Sequence, residues 1–231
     1  AETFKQIPGT PIAYWASDGI VYAFSDCPSL GESLAFREGI HTADNARFLR
    51  YWWEASDSEI VTNAASLADV DSKGSYVPYC KGGEFRKWYG NLEWVIAFND
   101  LHRSEMRELP GCVWPSQGLW FKEGGTWTAV SSGNLGIRFF PSGCLFDAGG
   151  QVVVGEKCKE AIGFLNSSFA KAIADLLMPT LNYKCGIMKT LPDFLNSAEG
   201  ALAETDECIT LSKADYDSFE TSLDFNRHPL L

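Results

Sequence analysis

The chain has no run of 18 apolar residues and no basic start leading into an apolar core, so neither a transmembrane helix nor a secretory signal is read in it, and a cytoplasmic protein is expected. It has no Cys-x-x-Cys pair. Its seven cysteines (Cys27, Cys80, Cys112, Cys144, Cys158, Cys185, Cys208) are odd in number and scattered, which disfavours a disulfide framework or a zinc site. Histidine is scarce: His41, His102 and His228 lie far apart, and a metal or triad site would have to be assembled by the fold alone. Gly-x-Ser-x-Gly, Gly-x-Gly-x-x-Gly, a Walker loop and His-Glu-x-x-His are all absent, which removes the usual serine-hydrolase, dinucleotide, nucleoside-triphosphate and zinc-protease chemistries. Carboxylate pairs such as Asp44 with Glu54, Asp57 with Glu59 and Glu105 with Glu108 have no nucleophile beside them and are read as solvated faces.

Positive charge is also in short supply. The formal charge of −11 argues against a nucleic-acid binder, because neutralising phosphates calls for a surplus of lysine and arginine. The acid is unevenly placed, however. Nine acidic and two basic residues fall between Asp193 and Leu231, whereas residues 79–138 hold seven basic and six acidic ones. Local field, not total charge, decides where a polyanion docks.

What remains is a globular composition, 45% hydrophobic and 13% aromatic over 231 residues, long enough to bury about 70% of the unfolded surface. Residues 10–16 read as a short strand and 29–37 as a helix. Residues 39–54 read as a loop, one helical turn and a strand, and 55–75 as a connection. From Tyr76 to Val154 short apolar runs alternate with Gly and Pro turns, mostly β, broken by a helix at 99–108. Apolar spacing predicts one helix over 157–178, ended by Pro179; residues 197–217 are read as room for a second, more acidic and less periodic. The expected fold class is α+β, a twisted, largely antiparallel or mixed sheet flanked by a few helices.

Two stretches carry binding chemistry. In YCKGGEFRKWYGN (79–91), two glycines allow close backbone approach, Lys81, Arg86 and Lys87 supply charge, and Phe85, Trp88 and Tyr89 supply faces for stacking. In KEGGTWTAVSSGNLGIR (122–138), hydroxyls and amides on glycine-bearing turns suit phosphates or base edges. Both stretches can equally be hairpins with core aromatics and solvated charges. In TADNAR (42–47), Asp44 and Asn45 are available to cap the following turn.

Together with IPGTPIAYW (7–15), GIHTADNARFLRYWWE (39–54), GFLNSSFAKAIADLLMPTLNYKCGIMKTLP (163–192) and SFETSLDFNRHPLL (218–231), these stretches resemble the PglX-type adenine-specific DNA methyltransferases of BREX phage-defence systems, and more loosely the Eco57I-like enzymes that fuse a methylase to a specificity domain. The resemblance implies a methylase that binds S-adenosylmethionine and holds a flipped adenine with an Asn-Pro-Pro-Tyr motif. That tetrapeptide is absent here. The chain is therefore expected to be the target-recognition part, without activity or cofactor of its own, facing double-stranded DNA and the catalytic domain of its parent, with other proteins of the defence system as further partners and no membrane. Residues 1–192 are taken as the recognition domain and 193–231 as an acidic extension leading out of it. On this resemblance Lys81, Arg86, Lys87 and Lys122 are assigned to phosphate or guanine, with Trp88 and Tyr89 beside them. Asn91, Ser131, Ser132, Asn134 and Arg138 are assigned to base edges, and Asn45 and Arg47 belong to a family motif near the start of the domain. The rival reading is a cytosolic, Trp-rich ligand- or carbohydrate-binding module, since eight tryptophans on β hairpins also suit sugars.

Overall fold

A computed structural model describes residues 7, 8, 17–131, 134–180, 182–195, 201–228, 230 and 231. The strand expected at 10–16 and the candidate Ser132 lie outside the described residues.

The β-rich middle forms two sheets rather than one. The first has five strands in the order β1 (Ala35–Arg37), β9 (Gly150–Val154), β6 (Gly124–Thr128), β7 (Arg138–Phe140) and β4 (Trp88–Tyr89). Its pairs are antiparallel except β4 with β7. The second orders β2 (Leu49–Tyr51), β5 (Trp94–Ala97), β3 (Tyr76–Cys80) and β8 (Leu145–Phe146), with β3 and β8 parallel. Tyr51 lies opposite Trp94, and Trp94 opposite Tyr79. The class is α+β as expected.

Helices α1 (Asp18–Asp26), α2 (Leu30–Ser33), α3 (Asn45–Phe48), α4 (Leu67–Lys73) and α5 (Asp100–Arg107) precede or interrupt the strands. Only α2 survives of the helix expected over 29–37. Ser29 and Glu32 form a capping box that starts it, but Ala35–Arg37 is drawn into pairing with Val152–Val154. The supposed connection at 55–75 holds α4, capped by Ser66 and rooted by buried Val70. α5 begins at Asn99, whose side chain accepts from the His102 amide at 3.1 Å.

The helix expected over 157–178 is two: α6 (Cys158–Leu165) and α7 (Ser168–Leu177). Asn166 causes the break. Its amide accepts from the Ile137 N–H and donates to the Ile137 carbonyl, both at 2.9 Å, imitating a strand against β7. Ser167 then caps α7, accepting from the Ala170 amide at 3.1 Å. Between α7 and residue 193 the chain makes single bridges at Asn182 and Pro192 around α8 (Cys185–Met188). Leu191 supplies the carbonyl that receives the Leu30 amide at 2.8 Å. Asn166, Ser167 and Leu191 thus fasten the scaffold.

Within residues 193–231, set apart by their charge, a helix packs against the rest of the chain. α9 (Ala201–Tyr216) lies on α6 and β4. Thr205, Ile209 and Tyr216 form its buried stripe, and the Tyr216 hydroxyl accepts from the Leu92 amide at 3.1 Å. Glu204, Glu207, Asp215 and Glu220 remain exposed. Deleting residues 201–231 is expected to abolish cooperative unfolding in a urea titration, because Tyr89 and Leu92 would lose their cover. A truncated chain that still unfolds in one sharp transition overturns that expectation.

Candidate nucleic-acid interface

The motif GIHTADNAR folds into a turn whose shape is set by close backbone approach. A side chain at Gly39 would place its Cβ 1.9 Å from the Phe146 carbonyl oxygen, so only glycine lets this segment lie against β8. Ile40 then donates to that carbonyl at 2.8 Å. Ala43 adopts a left-handed φ of 62°, turning the chain into α3. Asp44 caps α3 by accepting from the Arg47 amide at 3.1 Å. Thr42 donates to Asn45 Oδ1 at 2.6 Å, and the Asn45 Nδ2 group has no hydrogen-bond partner among the described residues.

Asn45 stands where two open hollows meet. One, of about 280 Å³, lies between Ile40, His41, Thr42, Asn45 and Asp147. The other, of about 400 Å³, lies between Asn45, Arg50, Tyr51, Glu54, Lys81 and Trp94. Asp147 receives the Tyr79 hydroxyl at 3.1 Å and the Gly149 amide at 2.6 Å. Burial raises its pKa, and those two donors offset the rise only in part.

The second hollow is flanked by charge and aromatic faces. The Lys81 ammonium lies 4.1 Å from the centroid of Trp94. Trp94 is 4.2 Å from Tyr51, which stacks on Trp53 at 4.6 Å with planes 5° apart. Arg50 donates to the Ala46 and Leu49 carbonyls at 2.8 and 2.6 Å, and these hold its cation at the rim. Arg50, Tyr51, Trp53, Trp94 and Asp147 were not singled out from sequence. The Tyr-Trp-Trp run was the available signal, but periodicity does not say which of three adjacent aromatics faces out.

The glycine loop after β3 separates this groove from a second patch. Gly82 and Gly83 both take positive φ, 90° and 133°, and the Gly83 carbonyl receives the Thr128 hydroxyl at 2.8 Å. The two candidate stretches therefore meet in space: Phe85, Thr128, Ser131 and Asn134 line a hollow of about 10 Å³, with Arg138 also on its wall.

Several of the remaining candidates are bound into the structure. Lys87 donates to the Asn166 carbonyl at 2.7 Å. Asn91 is buried and donates to the Glu84 carbonyl at 2.8 Å, closing the loop it was expected to project from. Tyr89 is buried in an edge contact with Tyr216, and Trp88 is half-buried on β4. Arg138 is only 1% exposed, because the covering loop removes it from the surface. Arg86 is exposed above Tyr216, Arg47 pairs with Glu105 at 2.9 Å, and Lys122 is exposed. Of the assigned residues, only Asn45 and Lys81 share the main groove. Among the described residues no three His, Cys, Asp or Glu side chains gather where they could hold a metal ion, and no helix is long and apolar enough to cross a membrane.

No family model matches the chain. It is 36% identical over 234 residues to the adenine-specific methyltransferase BrxX of Escherichia coli O9:H4 (strain HS), a match covering 99% of this chain and 18% of that protein. It is 33% identical over 238 residues to the adenine-specific methyltransferase PglX of Lacticaseibacillus casei (strain Zhang), covering 99% of this chain and 20% of that protein. The chain spans about a fifth of the length of these relatives, and along nearly all of its own length it is homologous to a segment of the adenine-specific methyltransferases BrxX and PglX.

Proposed function

We propose that this chain is the target-recognition part of a site-specific N6-adenine DNA methyltransferase of a BREX system, reading duplex DNA for a catalytic part that lies elsewhere in a longer protein. The observation that carries the reading is the junction at Asn45, whose side-chain Nδ2 has no hydrogen-bond partner among the described residues, with a lysine and an arginine lining the same groove. Cations of this kind hold phosphates, and an asparagine amide suits the paired donor and acceptor of an adenine edge, worth about 1–3 kcal/mol per good bidentate contact. The acids of α9 lie away from the groove's lining, so the formal charge of −11 does not decide the local field.

S-adenosylmethionine belongs to the parent on this reading. The sheets present do not fit it: their parallel pairs, β3 with β8 and β4 with β7, are not joined by the strand–helix–strand crossover whose glycine turn cradles such a cofactor. Here the chain's own residues bind and orient DNA, and the methyl transfer takes place outside the segment.

Two measurements test this. Exchanging the segment between two full-length relatives of different specificity is expected to exchange the methylated sequence; an unchanged sequence refutes the reading. Lys81→Glu is expected to weaken duplex binding about tenfold near 0.1 M salt and to lower the salt slope by about one, with the unfolding midpoint unchanged. Unaltered affinity removes Lys81 from the interface.

A further inference from the structure

Tyr51 and Trp53 are 37% and 47% exposed, yet neither is loose. The turn that carries them is tied on three sides: Tyr51 N–H donates to Glu54 Oε2 at 2.9 Å, Trp52 N–H to the Glu93 carbonyl at 2.9 Å, and Trp52 Nε1–H to the Thr221 carbonyl at 3.0 Å. Trp52 is the root, and Trp53 crosses it edge to face at 5.7 Å. The result is a short ladder in which Trp53 stacks on Tyr51 and Tyr51 leans on Trp94 with planes 32° apart, the Lys81 ammonium lying at the Trp94 end. Rings already stacked and fixed lose little entropy when a further flat ring joins them.

We infer that this ladder is a stacking site for a single nucleobase that has left the duplex. The inference rests on the DNA reading above and deepens it. Bases inside a duplex have both faces covered by their neighbours, so an aromatic face can take only one that is unpaired or swung out. Transfer to adenine N6 requires such an event, because that nitrogen is engaged in the base pair, and extrusion leaves a partner base without its mate. The two cations on the rim favour this occupant over an uncharged ring: Lys81 and Arg50, against the single carboxylate Glu54, line the same hollow as Tyr51 and Trp94, where the phosphates flanking a displaced base would need neutralising. Arg50 adjoins the Tyr-Trp-Trp run in sequence, whereas Lys81 is brought there by β3.

The test uses three otherwise identical duplexes: fully paired, with one extrahelical base, and with an abasic residue in place of that base. Binding is followed by anisotropy, and stacking by quenching of tryptophan emission. The extrahelical base is expected to bind about 10- to 100-fold tighter than the abasic duplex. Trp53→Ala should erase that difference with the unfolding midpoint unchanged, and Trp53→Phe should restore part of it. Equal binding of base and abasic duplexes by the unaltered chain refutes the stacking site and leaves the DNA reading intact. Failure to bind any of the three ends both. Binding to a β-linked glucose oligomer that is lost in Trp53→Ala would reassign the ladder to sugar.

Discussion

Replacing Arg138 with methionine is expected to raise the stability of the protein by about 1–3 kcal/mol at neutral pH, an unusual direction for a change at a fully buried position. Two buried arginines make the comparison. Arg103, 5% exposed, is satisfied: it reaches Asp71 through both terminal nitrogens at 2.8 and 2.9 Å and donates to the Phe98 carbonyl at 2.7 Å. The hydrogen bonds from Arg103 hold Asp71 below its ordinary carboxylate range. Arg138, 1% exposed, has no partner for Nε or Nη2 among the described residues. Burial draws its pKa down to about 10, and the nearby Cys80, Glu93 and Tyr216 offset this only in part. Arginine ordinarily titrates above about 12, so the charged form has lost on the order of 3 kcal/mol. Methionine keeps the aliphatic stem and discards the charge.

The pH dependence has a definite sign. Below about pH 10 both folded and unfolded Arg138 are protonated and the penalty is complete. Between there and the ordinary arginine range the folded state sheds its proton first, so the native protein gains ground and the advantage of the methionine variant shrinks. Urea unfolding of both proteins at pH 7 and about pH 11 checks this as a difference, cancelling other titrations. A loss of more than about 1 kcal/mol at pH 7 would mean that the guanidinium is well paired in solution. The parallel change Arg103→Met should destabilise, since it strands Asp71 and the Phe98 carbonyl.

Asn166→Ala is expected to cost about 2–4 kcal/mol, a fall of roughly 5–15 °C in Tm. Asn166 is buried, and its amide is what satisfies the Ile137 N–H. The Ile137 carbonyl also receives the Trp88 amide at 2.8 Å, so it keeps one partner. The cost is therefore one orphaned buried donor plus one lost bond. Asn166→Asp retains an acceptor for the N–H but sets a carboxylate oxygen against the Ile137 carbonyl, and should cost at least as much. Differential scanning calorimetry of the two variants decides it; an alanine variant within about 0.5 kcal/mol of the native protein would show that water replaces the amide. Because Lys87 donates to the Asn166 backbone carbonyl, this residue joins the end of α6 to both β4 and β7.

Where local chemistry was enough, sequence and structure agree. Asp44 before a helical turn and Asn99 before α5 are signals contained within a few residues, and each element forms where they place it. Where the outcome depended on distant pairing, they part. Ala35–Arg37 continues a helical pattern but is claimed by β9, more than a hundred residues later. The 157–178 pattern continues across Asn166, yet the helix stops there because the side chain is drawn to Ile137. The acids of 193–231 suggest a segment leading out of the domain; within it, the buried Thr205, Ile209 and Tyr216 of α9 face α6 and β4 while Glu204, Glu207 and Asp215 stay exposed.

The candidate site divides in the same way. Composition and local pattern alone determined an α+β domain with a β-rich, locally basic centre, and the motifs fixed its kinship with adenine-specific methyltransferases. Only the tertiary structure decided which residues of each kind face out. Arg138 is sealed in while Arg50 stays at the rim, and Trp127 is buried with its indole N–H on the Tyr183 carbonyl at 2.6 Å. Trp52 and Trp53 adjoin in sequence, but the first is anchored to Thr221 and the second is left to stack in the open. Burial is settled by partners far along the chain, and no window of neighbouring residues contains them.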